Sequence, residues 1–203
     1  VRWQTHVLGR LQRTGQPLMP ATDWLGPIFG ISEIALTLYK RSGQGATDAD
    51  KGSLRMLWLV IAASMAAGIA ISKSAHGFGF PEQTLINPFG MALFFSGLAL
   101  RWYSIFYLGK YFTVNVAIAD DHKLINAGPY RYIRHPSYTG ALMAFAGFGL
   151  CLGDWLAFAL VLLPVSAAFL RRISIEEAAL RASFGQAYVD YCRSTKRLIP
   201  SVY

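Results

Sequence analysis

Along this chain, apolar residues gather into long runs separated by short charged stretches, and several runs are long enough to be membrane elements. A hydrocarbon core of about 30 Å takes about 20 apolar residues of helix. Residues 54–72 and 86–108 meet that standard, the second with Arg101 near its end. Residues 23–39 form a shorter run that holds Glu33. The longest run, 140–170, poses a geometric problem. As one helix it would extend roughly 46 Å at 1.5 Å per residue. Gly153-Asp154 would then sit in its middle, where a charge in lipid is costly. A hairpin bending at Gly153-Asp154 removes both difficulties and returns its two charged flanks to the same side.

The pattern therefore predicts an all-α integral membrane protein of about five transmembrane helices, one pair forming a helical hairpin, with a cytoplasmic C-terminal region. Residues 1–20 read either as a surface helix, with Trp3, Val7, Leu8 and Leu11 on one face, or as a disordered arm. Residues 42–52 (SGQGATDADKG) have the composition of a solvated loop. Beyond the hairpin the second leg continues as a helix, with Ile173, Leu180 and Phe184 as its apolar stripe. Gly185 ends or kinks it, Tyr188, Val189 and Tyr191 resume helical spacing, and Leu198-Ile199-Pro200 is expected to close the chain in extended form. Residues 1–203 read as one membrane domain, with an amino-terminal transmembrane part over 1–107 and a carboxyl-terminal part over 108–203.

Composition agrees with this picture. With 54% hydrophobic and 15% charged residues, the chain is too apolar for an ordinary soluble domain. Its polar start lacks a short apolar core, so no secretory signal is expected. Cys151 lies in an apolar run and Cys192 in a polar tail, which argues against a disulfide framework, and no metal-ligand spacing is present. The net charge of +8 is less informative than where Lys and Arg fall. Lys40, Arg41, Lys51 and Arg55 separate the first two runs, and only Lys73 separates the next two. Five more basic residues lie in 101–134 and six in 171–197, with none at the 151–154 bend. That alternation puts the charged clusters and the carboxyl terminus in the cytoplasm (at the inner membrane, if the cell is bacterial). Arg2, Arg10 and Arg13 fit it less well.

Two polar clusters bracket the hairpin: Gly128-Pro-Tyr-Arg-Tyr-Ile-Arg-His-Pro-Ser-Tyr-Thr-Gly140 before it and Arg171-Arg-Ile-Ser-Ile-Glu-Glu177 after its second leg. Arg134 and Arg172, taken singly, read as positive-inside anchors. The pair Glu176-Glu177 beside Arg171-Arg172 changes that, because carboxylates near a membrane need a partner or a ligand. Arg172 and Glu176 are i, i+4 and share a helix face. His135 suits a helix cap and Pro136 the first turn, so the N–H groups of Ser137 and Tyr138 are expected to face outward, toward polar ligand atoms. Tyr130, Tyr132 and Tyr138 suit either an interfacial aromatic belt or stacking on a purine. Asn115 satisfies either a turn or a ligand. Gly147-Phe-Gly-Leu-Cys-Leu-Gly153 has the wrong spacing for a dinucleotide loop and suits close helix packing.

The motif GPYRYIRHPSYTG, the later RRISIEEAALRASFGQAYVDY and the terminal RLIP together resemble the isoprenylcysteine carboxyl methyltransferase family, membrane enzymes related to phospholipid N-methyltransferases. The resemblance covers roughly residues 108–200. It implies S-adenosyl-L-methionine as cofactor, bound without a Rossmann domain. It further implies cofactor contacts at Asn115, at His122, Lys123, Leu124 and Ile125, at Tyr130, at His135, Pro136, Ser137 and Tyr138, and at Glu176. Arg172 corresponds to the family's substrate-orienting arginine, with Arg134 beside it, so these two are the expected catalytic residues and Arg172 the expected substrate contact. The implied partners are a lipophilic small-molecule substrate and membrane lipid, with no nucleic acid, no metal and no obligate protein partner.

Physical chemistry fits that implication. Methyl transfer from a sulfonium is an in-line displacement whose main demand is alignment in a dry site. A carboxylate acceptor, with a free pKa of about 3.5, needs no base, and a bidentate Arg fixes its plane. An amine acceptor needs a base, for which Glu177 and His135 are the candidates. The competing readings are a phospholipid amine methyltransferase, an NADPH-dependent membrane reductase of related architecture, and a non-enzymatic scaffold or transporter.

Overall fold

The computed structural model describes residues 22–39, 48–74, 78–111, 124–200 and 202–203. Among these residues there are six α-helices and no strand longer than an isolated bridge. We label them α1 (Thr22–Tyr39), α2 (Asp48–Ser72), α3 (Gln83–Leu108), α4 (Pro136–Cys151), α5 (Trp155–Phe184) and α6 (Gln186–Ser194), with single 3-10 turns at Gly109–Tyr111 and Gly128–Arg131. Three of them, over Gly52–Ser72, Gln83–Leu108 and Trp155–Phe184, are long and apolar enough to cross a membrane. The expected count of about five needs α1 and α4 as well, which have 18 and 16 residues.

The expected hairpin is present. Helix α4 stops at Cys151 and α5 starts at Trp155. Gly153 makes the turn at φ 72°, a left-handed backbone that only glycine adopts without strain. Asp154 caps α5, its carboxylate accepting the Ala157 N–H at 2.8 Å, so the charge sits at a helix start. The bend is also tied to the approach to α3. Phe80 N–H donates to the Gly153 carbonyl at 2.9 Å, and Trp155 N–H to the Phe78 carbonyl at 3.0 Å.

The core lies between two helix pairs, α3 on α4 and α2 on α5. The first pair meets along glycines. Gly90 and Gly97 on α3 face Gly147 and Gly140 on α4, seven residues apart on each helix. A Cβ on Gly140 would lie 2.5 Å from the Gly97 carbonyl oxygen, so these backbones approach more closely than any side chain allows. Close packing is thus what Gly147 does, as its sequence context suggests. Around this core the outward faces remain apolar. On α1, Leu25, Phe29, Glu33 and Leu36 turn inward, while Ile31, Ile34 and Leu38 are 66%, 63% and 65% exposed. An apolar exterior of this kind is what a bilayer solvates.

Two expectations are corrected. Residues 48–52 of the expected loop are helical, because α2 begins at Asp48. Leu198-Ile199-Pro200 is not extended but folds back. The N–H groups of Leu198 and Ile199 both donate to the Tyr203 carbonyl, at 2.7 and 2.8 Å, and Tyr203 N–H returns to the Ile199 carbonyl at 3.1 Å. Backbone groups with no sheet partner find one another in this reversal. The readings of residues 1–20, Asn115, His122 and Lys123 fall outside the described residues.

Candidate active site at the hairpin ends

The bracketing clusters converge, in two adjoining groups. The first is a clasp around Glu177, buried on α5. One carboxylate oxygen accepts from Arg134 Nε at 2.9 Å and lies 3.3 Å from His135 Nε2. The other accepts from Arg197 Nε at 3.1 Å and Nη2 at 2.9 Å. The Arg134 guanidinium also donates to the carbonyls of Cys192 and Thr195. Backbone bonds continue the clasp, with Arg134 N–H on the Lys196 carbonyl at 2.8 Å and His135 N–H on the Arg197 carbonyl at 3.0 Å. Hydrogen bonding to Glu177, followed by that to Tyr203, raises the Arg197 pKa above its ordinary value. Three basic side chains thus occupy both oxygens of Glu177.

The second group faces a small cavity, about 40 Å³, whose wall includes Glu33, Arg101, Tyr138, Phe169 and Arg172. That volume holds about one or two water molecules. The Tyr138 hydroxyl donates to Glu176 Oε2 at 2.8 Å, bridging the first turn of α4 to α5 just beyond its apolar stretch. Arg172, one turn earlier, is buried and donates from Nη1 to Ser53 Oγ of α2 at 2.9 Å. Across the cavity Arg101 grips Glu33 through Nε at 2.5 Å and Nη2 at 2.7 Å, both side chains buried. Its Nη1 donates to the Ser137 carbonyl at 3.3 Å.

The expected site residues therefore divide. Tyr138 and Arg172 line the cavity, and Glu176 joins them through the Tyr138 hydroxyl. Arg134 is held in the clasp and does not line the cavity. His135 is buried against Glu177, its ring stacked 5.6 Å from that of Tyr138. Pro136 is fully buried, as befits the first residue of a packed helix. Tyr130 is buried, its hydroxyl donating to the Ser104 carbonyl at 3.2 Å. Burial, with Glu176 second, pushes its phenol above the usual tyrosine range, so it stays a neutral donor. Leu124 and Ile125 are half-buried and Tyr132 is exposed. The outward N–H expected of Tyr138 is corrected: it donates to the His135 carbonyl at 3.0 Å, because the first turn closes on its own cap.

Sequence reasoning missed three partners: Glu33 for Arg101, Ser53 for Arg172 and Arg197 for Glu177. A signal for the first existed. An acid inside one apolar run and a base near the end of another can only be buried together.

Residues 90–182 match the isoprenylcysteine carboxyl methyltransferase (ICMT) family. Protein-S-isoprenylcysteine O-methyltransferase B of Arabidopsis thaliana is 31% identical over 126 residues, covering 61% of this chain and 64% of that protein. The corresponding enzyme of Schizosaccharomyces pombe is 37% identical over 82 residues, 40% of this chain and 35% of its own length. The solved structure of a eukaryotic intramembrane Ras methyltransferase, ICMT, superimposes with a TM-score of 0.60 at 29% identity, covering 71% of this chain and 52% of that one. The match thus spans less than two thirds of the length of each of these relatives. The resemblance read from the two motifs is borne out, and across residues 90–182, which carry Arg101, Tyr138, Arg172 and Glu176, the chain is similar to the isoprenylcysteine carboxyl methyltransferases.

Proposed function

We propose that this protein is an integral membrane S-adenosyl-L-methionine-dependent methyltransferase that esterifies the carboxylate of a lipophilic, isoprenylcysteine-like acceptor. The observation that carries this reading is Tyr138 meeting Glu176 at 2.8 Å beside buried Arg172, at the mouth of an apolar hairpin. Five helices, α1 to α5, cross or enter the bilayer, with the hairpin ends on the cytoplasmic face. The residues fit the cofactor: an aromatic ring and a carboxylate on one edge suit a cationic sulfonium and a nucleoside. Tyr138 and Glu176 would hold it, with Tyr130, Leu124, Ile125, Asn115, His122 and Lys123 as further candidates. When bound, it supplies an electrophilic methyl group.

Arg172 fixes the plane of the acceptor carboxylate, and the apolar wall excludes water from the reaction. Arg134 and His135 act through Glu177, holding the turn before Tyr138 in place. Saturation of Glu177 by three basic side chains leaves it poorly placed as a general base, which favours a carboxylate over an amine. The test is purified protein in nanodiscs given labelled methyl donor, a farnesylated cysteine derivative and a membrane-lipid extract. Base-labile label on the prenylated compound is the expected result. Base-stable label, or thermal protection by NADPH alone, refutes the assignment.

A further inference from the structure

We infer that Glu33, on a helix outside the family match, is a positioning residue that sets the place of Tyr138 through Arg101. Helix α1 precedes residue 90, where that match begins. Its Glu33 nonetheless reaches the cavity and holds Arg101 through both carboxylate oxygens. Such a two-point grip fixes both the position and the plane of a guanidinium. The third direction of that guanidinium is used as well, since Nη1 donates to the Ser137 carbonyl. Ser137 immediately precedes Tyr138, whose hydroxyl meets Glu176.

One continuous path therefore runs from Glu33 through Arg101 and the first turn of α4 to Tyr138 and Glu176. Glu33, Arg101 and Tyr138 on it line the same cavity as Arg172. A second link docks α1 by a different route: Trp102 Nε1 donates to Ser32 Oγ at 2.7 Å. It ties α1 to α3 without touching Ser137. The two links separate docking of the helix from placement of the tyrosine. For its kinetic consequence the inference rests on the methyltransferase reading; its structural content does not.

The test uses the full chain in nanodiscs with 3-fluorotyrosine at position 138. Glu33→Gln alone leaves a buried cation unpaired and risks misfolding, so the main variant is Glu33→Leu/Arg101→Met, since a buried ion pair exchanged for apolar groups commonly preserves the fold. The fluorine resonance is expected to shift or broaden in this double variant, and to keep its wild-type position in Glu33→Asp and in Ser32→Ala. In methyl transfer to the farnesylated cysteine derivative, kcat of the double variant falls roughly ten- to hundred-fold, the scale of a misplacement of about 1 Å. Binding of S-adenosylhomocysteine changes less. An unchanged resonance in a folded double variant overturns the inference, as does an equal disturbance by Ser32→Ala. Absence of transfer by the wild type would sink the methyltransferase reading alone, and the resonance would still decide the coupling.

Discussion

Among single side chains, Glu177 and Arg172 are neighbours of opposite consequence. Glu177 gathers Arg134, His135 and Arg197, so its loss leaves the buried Arg134 guanidinium without its carboxylate. Glu177→Gln is expected to cost about 3–5 kcal/mol, the scale for breaking a buried ion pair, measurable as a lowered unfolding midpoint in detergent. Arg172 has a different neighbourhood, at the cavity and against Ser53. Arg172→Ala should lower turnover by roughly 10²-fold while leaving S-adenosylhomocysteine affinity within about twofold, as titration calorimetry would read; equal loss of both would move Arg172 into the cofactor site. The types of these residues are visible in the motifs, and their i, i+4 relation brings Arg172 and Glu176 to one face. Their partners are not visible. Glu33 and Arg101 are 68 residues apart, and helical periodicity carries no information about which helix faces which.

Single helices obey local rules, and here the sequence was most informative. An apolar run too long for one crossing, broken by Gly153-Asp154, requires a bend, and a glycine followed by an acid is what a turn and a cap demand. The reversal at 198–203 could not be read this way, because three apolar or proline residues suit an extended segment as well as a folded one. At the α3–α4 seam, spacing alone does not distinguish a packing glycine from a helix-weakening one; the contact does. Gly140→Val should cost about 1–3 kcal/mol or more, as overpacking does, and show as loss of monodisperse protein on size exclusion. Gly30→Ala, with nothing within 4 Å of the added carbon, should change stability by no more than about 0.5–1 kcal/mol in either direction.

For the molecule as a whole, the bend and the clasp lie at opposite ends of α5, separated by the apolar stretch of a 30-residue helix. Trp155 begins α5, and Arg193 lies on α6, which follows its far end; both are exposed. In a background with both native cysteines replaced, a membrane-impermeant maleimide applied to sealed vesicles should label only one of Trp155→Cys and Arg193→Cys. Labelling of both before lysis would contradict a crossing. The glycine seam has a consequence for traffic within the bilayer. Where the α3 and α4 backbones touch through Gly97 and Gly140, no hydrocarbon chain has room to slip between them. On the methyltransferase reading, a lipid-tailed acceptor therefore has to reach the cavity by some way other than this seam.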